Sequence, residues 1–332
     1  MKFSTTKLLV LGLSVALAAC QDTSSPTDQQ VAPPSFAAAK KTPLTGTPTQ
    51  RAAQIAAKVN ARLAARHSKV RLTGASFFTV GKGVPPFRTH RTGLKWPTRD
   101  LTYLIDVSDF APGANSAAVQ TALVNAMETW DAVKNITLNL TRVPDVNPNP
   151  DVLDAIVTDN QGNCVDIVDT SSPAVIDYDP VAGIFDLDPF ANIVHGGWLS
   201  PDYFAKCLGS ADIIAVTWSF SNVDTNHDNY TDLAYAEQYA NNQWQYVTSG
   251  SVYLDFDGPF DIQSIFVHED GHALGLDHTG GPNDNQPFKL HPNGRVFSPE
   301  AVMNPFNLGG NKRNLFPIDR ASIRNLYANP NK

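Results

Sequence analysis

The chain has 332 residues, of which 42% are hydrophobic and 17% charged, with a net charge of −7. That composition excludes a disordered or fibrous polypeptide and is long enough to bury a sizeable core. The charge is uneven: residues 21–90 carry 10 Lys/Arg against 2 Asp/Glu, and residues 91–332 carry 13 against 30. An acidic body of this strength argues against nucleic acid as a partner, because phosphates are repelled.

Lys2 and Lys7 flank the start of an apolar run, Leu8–Ala19, too short to span a bilayer and of the length of a signal-peptide core. The run ends in Leu17-Ala18-Ala19-Cys20, which resembles the lipobox of bacterial lipoproteins. The resemblance implies cleavage after residue 19 and a diacylglycerol on the Cys20 sulfur. An ordinary secretory signal that contains a cysteine is the alternative. Both readings export the chain, and the first places it at the bacterial cell envelope or surface, touching the membrane only through Cys20. Cys164 and Cys207 are then left as a pair, read as a disulfide in an oxidising compartment or as two free buried thiols.

Residues 20–50, rich in Pro, Ser, Thr, Gln and Ala, read as a flexible tether. Residues 50–66 read as a short helix. Residues 73–95 contain Gly74, Gly81, Gly83, Pro85, Pro86 and Gly93 and read as loop, so that the folded domain is expected to begin near Trp96. The basic stretch 51–95 is either an inhibitory prosegment complementary to the acidic body or a solvated linker.

Leu101–Val107 reads as a strand. Asn115 or Ser116 can cap a helix whose Val119, Leu123, Ala126, Met127 and Trp130 recur at helical spacing. Ile136, Leu138 and Leu140 alternate as in a second strand. Residues 144–212, dense in Pro, Asp, Asn and Gly, read as a long irregular insertion. Ile213–Phe220 is apolar on both faces and so is expected at the centre of a sheet. Ser251–Phe256 reads as a fourth strand, Asp261 as the cap of a helix from Ile262 to about Leu274, and Asp319 as the cap of a last helix through Tyr327. The order of elements is that of an α+β or α/β domain, and no internal repeat is present.

The chemistry is concentrated in His268-Glu269-Asp270-Gly271-His272-Ala273-Leu274-Gly275-Leu276-Asp277-His278. Two histidines four apart on a helix share one face, and their imidazoles can bind one Zn²⁺. Gly275 can end the helix sharply, and the returning chain brings His278 as third ligand. Glu269, next to the first histidine, reaches the open side of the ion and is suited to act as general base on a bound water.

This pattern resembles the metzincin clan of metallopeptidases. Ala301-Val302-Met303-Asn304-Pro305, about 25 residues further on, resembles the clan's Met-turn, whose methionine lies beneath the metal ligands. The matrixins fit best: the segment Trp96–Ile105, the helix ending in Glu128-Thr129-Trp130, Ile213–Trp218 and Asp261–His278 each match their order. The resemblance covers residues 96–327, with 144–212 as an enlarged loop region. It implies an α+β domain with a twisted mixed sheet, packed helices and a substrate cleft over the zinc. Ser251–Phe256 would be the cleft edge, pairing with extended peptides by strand addition. Three departures stand out. Asp270 replaces an apolar residue and either perturbs Glu269 or faces solvent. No cysteine lies between Gln21 and Asn163 to close the zinc site from a propeptide. The secondary structural zinc site of animal matrixins has no recognisable counterpart.

Asp224, Asn226, Asp228 and Asp232, with a Tyr230 carbonyl between them, are spaced like the first part of an EF-hand-type loop and could hold Ca²⁺. Asn229 stands where that loop has Gly, and Tyr235 where it has Glu, so a polar Asx-rich turn is the alternative. The expectation is a monomeric zinc endopeptidase acting on protein or peptide. Its rivals are a surface binding protein with a non-catalytic zinc and a zinc hydrolase acting on other bonds.

Overall fold

The computed structural model describes residues 42–80, 84–89, 93–108, 110, 116–145, 149–222, 226–248, 259–278, 301–304, 306–307 and 311–328. The signal segment, Cys20, most of the tether, Asp224, the strand read at Ser251–Phe256 and the residues after His278 through 300 lie outside them. Among the described residues no helix is long and apolar enough to cross a membrane.

The chain opens with helix α1 (Pro48–Ala65), followed by strands β1 (Arg71–Val80), β2 (Phe87–Arg88), β3 (Leu94–Lys95) and β4 (Asp100–Ile105) and helix α2 (Ser116–Asp131). Next come β5 (Asn139–Arg142), β6 (Val157–Thr158), β7 (Cys164–Asp166), β8 (Val175–Asp179), β9 (Ile184–Leu187) and β10 (Ile193–Leu199). A π-helical turn at Tyr203–Leu208 leads into β11 (Ile213–Ser221) and β12 (Thr231–Asn241). The last elements are β13 (Tyr246–Val247), β14 (Phe260–Asp261), α3 (Ile262–Ala273), β15 (Phe306–Asn307) and α4 (Pro317–Tyr327). The class is α+β, as expected.

One mixed sheet organises the fold, in the order β15-β1-β11-β12-β10-β4-β5, with β2 added beside β1 and β3 beside β12. β5, β4, β10 and β12 run parallel to one another, whereas β11 is antiparallel to both β12 and β1. Successive residues on a strand face opposite ways, and the core divides accordingly. Tyr103, Ile105, Ile193 and Phe78 join the core beneath α2 and α3. Leu104, Val194 and Phe77 join a second core on the other face, closed by α1 and the 149–212 segment. Every residue of β11 is buried, which fits its central place.

Several expectations need correction. Residues 73–80, the start of the 73–95 stretch read as loop because of its Gly and Pro, belong to a ten-residue strand, Arg71–Val80, beside β11. The boundary at Trp96 is therefore not a domain edge: α1 and β1 share a core with Trp218 and Phe220 of β11. The segment 144–212 is not wholly irregular either, since it contains β10, an interior strand between β4 and β12. Its Gly196-Gly197 hid it. A side chain at Gly196 would strike Tyr239, and Gly197 adopts φ +83° where the β10–β12 register shifts. β12 was missed because Asp232, Glu237, Gln238 and Asn241 make it look polar, yet all four are buried. The alternation at 136–140 gives a later strand, β5, and Ile136 instead bridges Ala328. Asp319 does not cap α4; it is the third residue within it, and Phe316 is the cap, with Pro317 at the first position.

Cys164 and Cys207 form a disulfide with Cα atoms 5.1 Å apart, spanning 43 residues. In the chain-entropy treatment a loop of that length is worth roughly 4 kcal/mol. It ties β7 to the π-helical turn, in the segment poorest in regular structure.

Candidate metal centre

Helix α3 carries the site, and its whole length is buried. Asp261 caps it, accepting from the Ser264 backbone N–H at 2.9 Å, as the sequence predicted. The far end is a Schellman turn: the Leu276 N–H donates to Gly271 O at 2.8 Å and the Gly275 N–H to His272 O at 2.9 Å. Gly275 sits at φ +92°, where a Cβ would lie 2.5 Å from Leu94 O, so both the turn and the close approach require glycine. Trp96 Nε1 and the Tyr327 hydroxyl donate to the carbonyls of Ala273 and Leu274 at 2.8 and 2.9 Å, satisfying helix-end acceptors that would otherwise be buried unpaired.

This reversal brings the three histidines together. His272 Nε2 lies 3.1 Å from His268 Nε2 and 3.1 Å from His278 Nε2. The opposite ring nitrogens face carbonyls: His268 Nδ1 donates to Val302 O at 2.7 Å and His272 Nδ1 to Leu276 O at 2.8 Å. A carbonyl only accepts, so in His268 and His272 the proton sits on Nδ1 and the Nε2 lone pair points into the cluster. Burial pushes His268 down to about 3 and holds His272 and His278 well below the usual imidazole range, which keeps all three neutral, the form that ligates a metal. Three neutral imidazole nitrogens converging within 4.8 Å of one another are complementary to a cation. A tetrahedral ion about 2.0–2.1 Å from each nitrogen would set them about 3.3 Å apart, close to the spacing present. The trio can hold a metal ion, and among the described residues it is the group of histidine, cysteine and acidic side chains so arranged.

Glu269 is fully buried, and its Oε2 accepts a hydrogen bond from the Thr217 hydroxyl of β11. Its Oε1 has no hydrogen-bond partner among the described residues. Burial raises its carboxyl to about 8, opposed by the Thr217 hydrogen bond. The sequence pointed to Glu269 but not to Thr217. The one signal available was a single hydroxyl residue in a strand otherwise apolar at its centre.

Asp270 neither faces solvent nor reaches the histidine trio. It points into the sheet, where its Oδ1 lies 3.4 Å from His195 Nε2 of β10. Burial raises the Asp270 carboxyl well above its usual range, and burial lowers His195 to about 3. Met303 packs directly against α3: a Cβ on Gly271 would meet Met303 Sδ at 2.2 Å. The turn carrying Met303 is held by Asp319, which accepts from the N–H groups of Val302, Met303 and Phe316 at 2.9, 3.2 and 2.9 Å. That role was not visible in the sequence.

The described part of the loop considered for calcium is stitched by its own side chains. Asn226 Oδ1 accepts from the Asp228 N–H and Asp228 Oδ1 from the Tyr230 N–H, each at 3.0 Å. Asp228 Oδ2 is paired with Lys95 at 2.6 Å, so a cation already faces that carboxylate. Asp232 is buried at the start of β12, away from the exposed turn. These are the features of a polar Asx-rich turn.

The chain matches no protein-family model and no curated protein.

Proposed function

We propose that the chain is an exported zinc endopeptidase of the metzincin type, with a matrixin-like centre. The observation that carries the reading is the pairing of a neutral three-nitrogen cluster with a buried carboxylate oxygen that has no partner among the described residues. A structural metal site has no use for such a carboxylate, and a lone buried one costs stability. Zn²⁺ on His268, His272 and His278 would supply a Lewis acid and a water that ionises near neutrality. Glu269 is placed to do the proton work. Its Oε1 takes the proton of the attacking water and returns it to the leaving amine, while Thr217 holds Oε2 and fixes the carboxylate plane. The Schellman turn and the Met303 shelf keep the ligands from shifting as the base works.

The disulfide supports an oxidising, exported setting, in keeping with the lipobox and an anchor at Cys20. Peptides are the substrate class that pairs with a strand beside the metal. Glu269→Gln is the test: it should bind zinc stoichiometrically and fail to hydrolyse casein under conditions in which the native sequence does so in a chelator-sensitive manner. Undiminished hydrolysis by that variant would overturn the assignment. Zinc binding without hydrolysis of casein or gelatin by the native sequence, once its cleft is open, would favour a binding protein.

A further inference from the structure

β11 is the strand beside the centre, because its Thr217 grips Glu269. One side of β11 is paired to β12 along Ala215–Ser221. Its other side is the only backbone ladder left to an incoming chain, and β1 fills it from Arg71 to Thr79. At its far end β1 also pairs with β15, in parallel, through Thr79 and Val80. β1 is thus clamped between an antiparallel strand and a short parallel one, as an added peptide would be. It also lies against the centre itself: the Phe78 ring stacks on the His268 imidazole with centroids 4.3 Å apart and planes at 28°. Beyond β1, Arg88 of β2 pairs with Asp277, next to His278.

We propose that β1 is a displaceable intramolecular occupant of the peptide track on β11, which closes the full-length chain to extended peptides until β1 is released. The inference rests on the peptidase reading for its biological meaning, but the occupancy is separable from catalysis.

Two features make release feasible without dismantling the domain. The N-terminal segment is moored by α1 as well as by β1, so the loss of β1 pairing need not free it. Leu44 N–H donates to Cys164 O at 2.8 Å, Arg62 pairs with Asp166, and Lys58 donates to Val165 O, so the basic helix grips the disulfide-bonded segment independently. The ladder that β1 vacates is also one that another extended chain can fill, because strand addition replaces the same backbone hydrogen bonds. Side-chain complementarity adds selectivity. Phe78 is buried against His268, so a chain taking its place would present a large apolar or aromatic residue there.

The test uses the full chain with zinc added, in the Glu269→Gln background so that nothing is cleaved. A fluorescein-labelled peptide with the sequence of residues 71–80 is titrated against this protein and against the same protein carrying Phe78→Ala. Amide hydrogen exchange is followed over residues 213–221. The expected result is binding at least tenfold tighter to the Phe78→Ala protein, with exchange over 213–221 at least tenfold faster when the peptide is absent. Val80→Pro, which removes the N–H that donates to Asp212 O at 3.0 Å, loosens the same strand by another route and should behave alike. Equal peptide binding with and without the substitutions, or no binding to any form, would overturn the proposal. So would loss of native circular dichroism in both variants, since β1 would then be a fixed structural strand. Peptide binding as expected, combined with no casein hydrolysis when Glu269 is restored in the Phe78→Ala and Val80→Pro proteins, would sustain the occupancy and remove the peptidase reading.

Discussion

Gly271 of α3 faces Met303 so closely that a methyl group placed on its α-carbon would lie 2.2 Å from Met303 Sδ and 2.9 Å from the Trp130 ring. The glycine between Glu269 and His272 is therefore a packing requirement, set by a residue far along the chain. Gly271→Ala should lower stability by about 1–3 kcal/mol through overpacking, despite the better helix propensity of alanine. The same substitution should cost less in a Met303→Ala background, because the closer contact is then gone and only the 2.9 Å approach to Trp130 remains. Denaturant midpoints of the four proteins in the cycle measure the coupling; equal costs in both backgrounds would show that Met303 is not the constraint.

Asp319 connects that turn to the metal ligands. It holds the Val302 N–H, and the Val302 carbonyl in turn accepts from His268 Nδ1 at 2.7 Å. Asp319→Ala strands three buried or half-buried N–H groups, and a loss of about 2–4 kcal/mol is expected in thermal or denaturant unfolding. Zinc affinity should also fall, roughly ten- to a hundredfold, as is usual when a partner behind a ligating histidine is removed. Competition with a chromophoric chelator measures this, and unchanged affinity would disconnect Asp319 from the centre.

Thr217 touches Glu269 and no histidine ligand, so its removal separates base positioning from metal binding. Thr217→Val preserves shape and deletes the hydroxyl. Peptidase turnover is expected to fall roughly ten- to a hundredfold, with zinc affinity unchanged. A parallel loss of zinc would mean that the residue supports the fold of α3 and not the base.

Glu237 should make stability depend on pH. It is fully buried on β12, and desolvation raises its carboxyl from 4.5 to about 7, although Tyr235, Tyr239 and the N–H groups of Val152 and Leu153 all donate to it. The folded state thus holds a proton that the unfolded chain releases. Its contribution is full below about pH 4.5, declines as pH rises through the interval to about 7, and is lost above it. The amount is about 3 kcal/mol. Glu237→Gln cannot titrate, so the stability of the native chain relative to this variant should drop by that amount between pH 4.5 and 7.5. A flat difference across that range would contradict the raised carboxyl.

Local features of this protein were legible because they depend on residues a turn or two apart. The i, i+4 histidines, the Asp261 cap and the Gly275 reversal are settled within one helix and its end. The 116–131 helix was plain from the period of Val119, Leu123, Ala126, Met127 and Trp130, and β11 from an apolar run too long to be half-exposed. The cysteine pair was found by elimination once Cys20 was set aside.

What escaped was decided by partners distant in sequence. β1 looked like loop, but its backbone groups find their partners on β11, some 140 residues later, and no local pattern announces such a ladder. β12 carries a buried glutamate that only makes sense once two tyrosines and two N–H groups converge on it. The amino-acid sequence by itself determined the three imidazoles and the carboxylate beside them, because helical geometry puts His268 and His272 on one side of α3 with Glu269 next to the first, and the Gly275 reversal just past the helix returns the chain with His278. Only the tertiary structure decided that Thr217 steadies that carboxylate, that Asp319 and Met303 hold the floor beneath it, and that β1 lies across His268. Those contacts arise from strand pairing and core packing, whose energies depend on surfaces that meet only when the chain has folded.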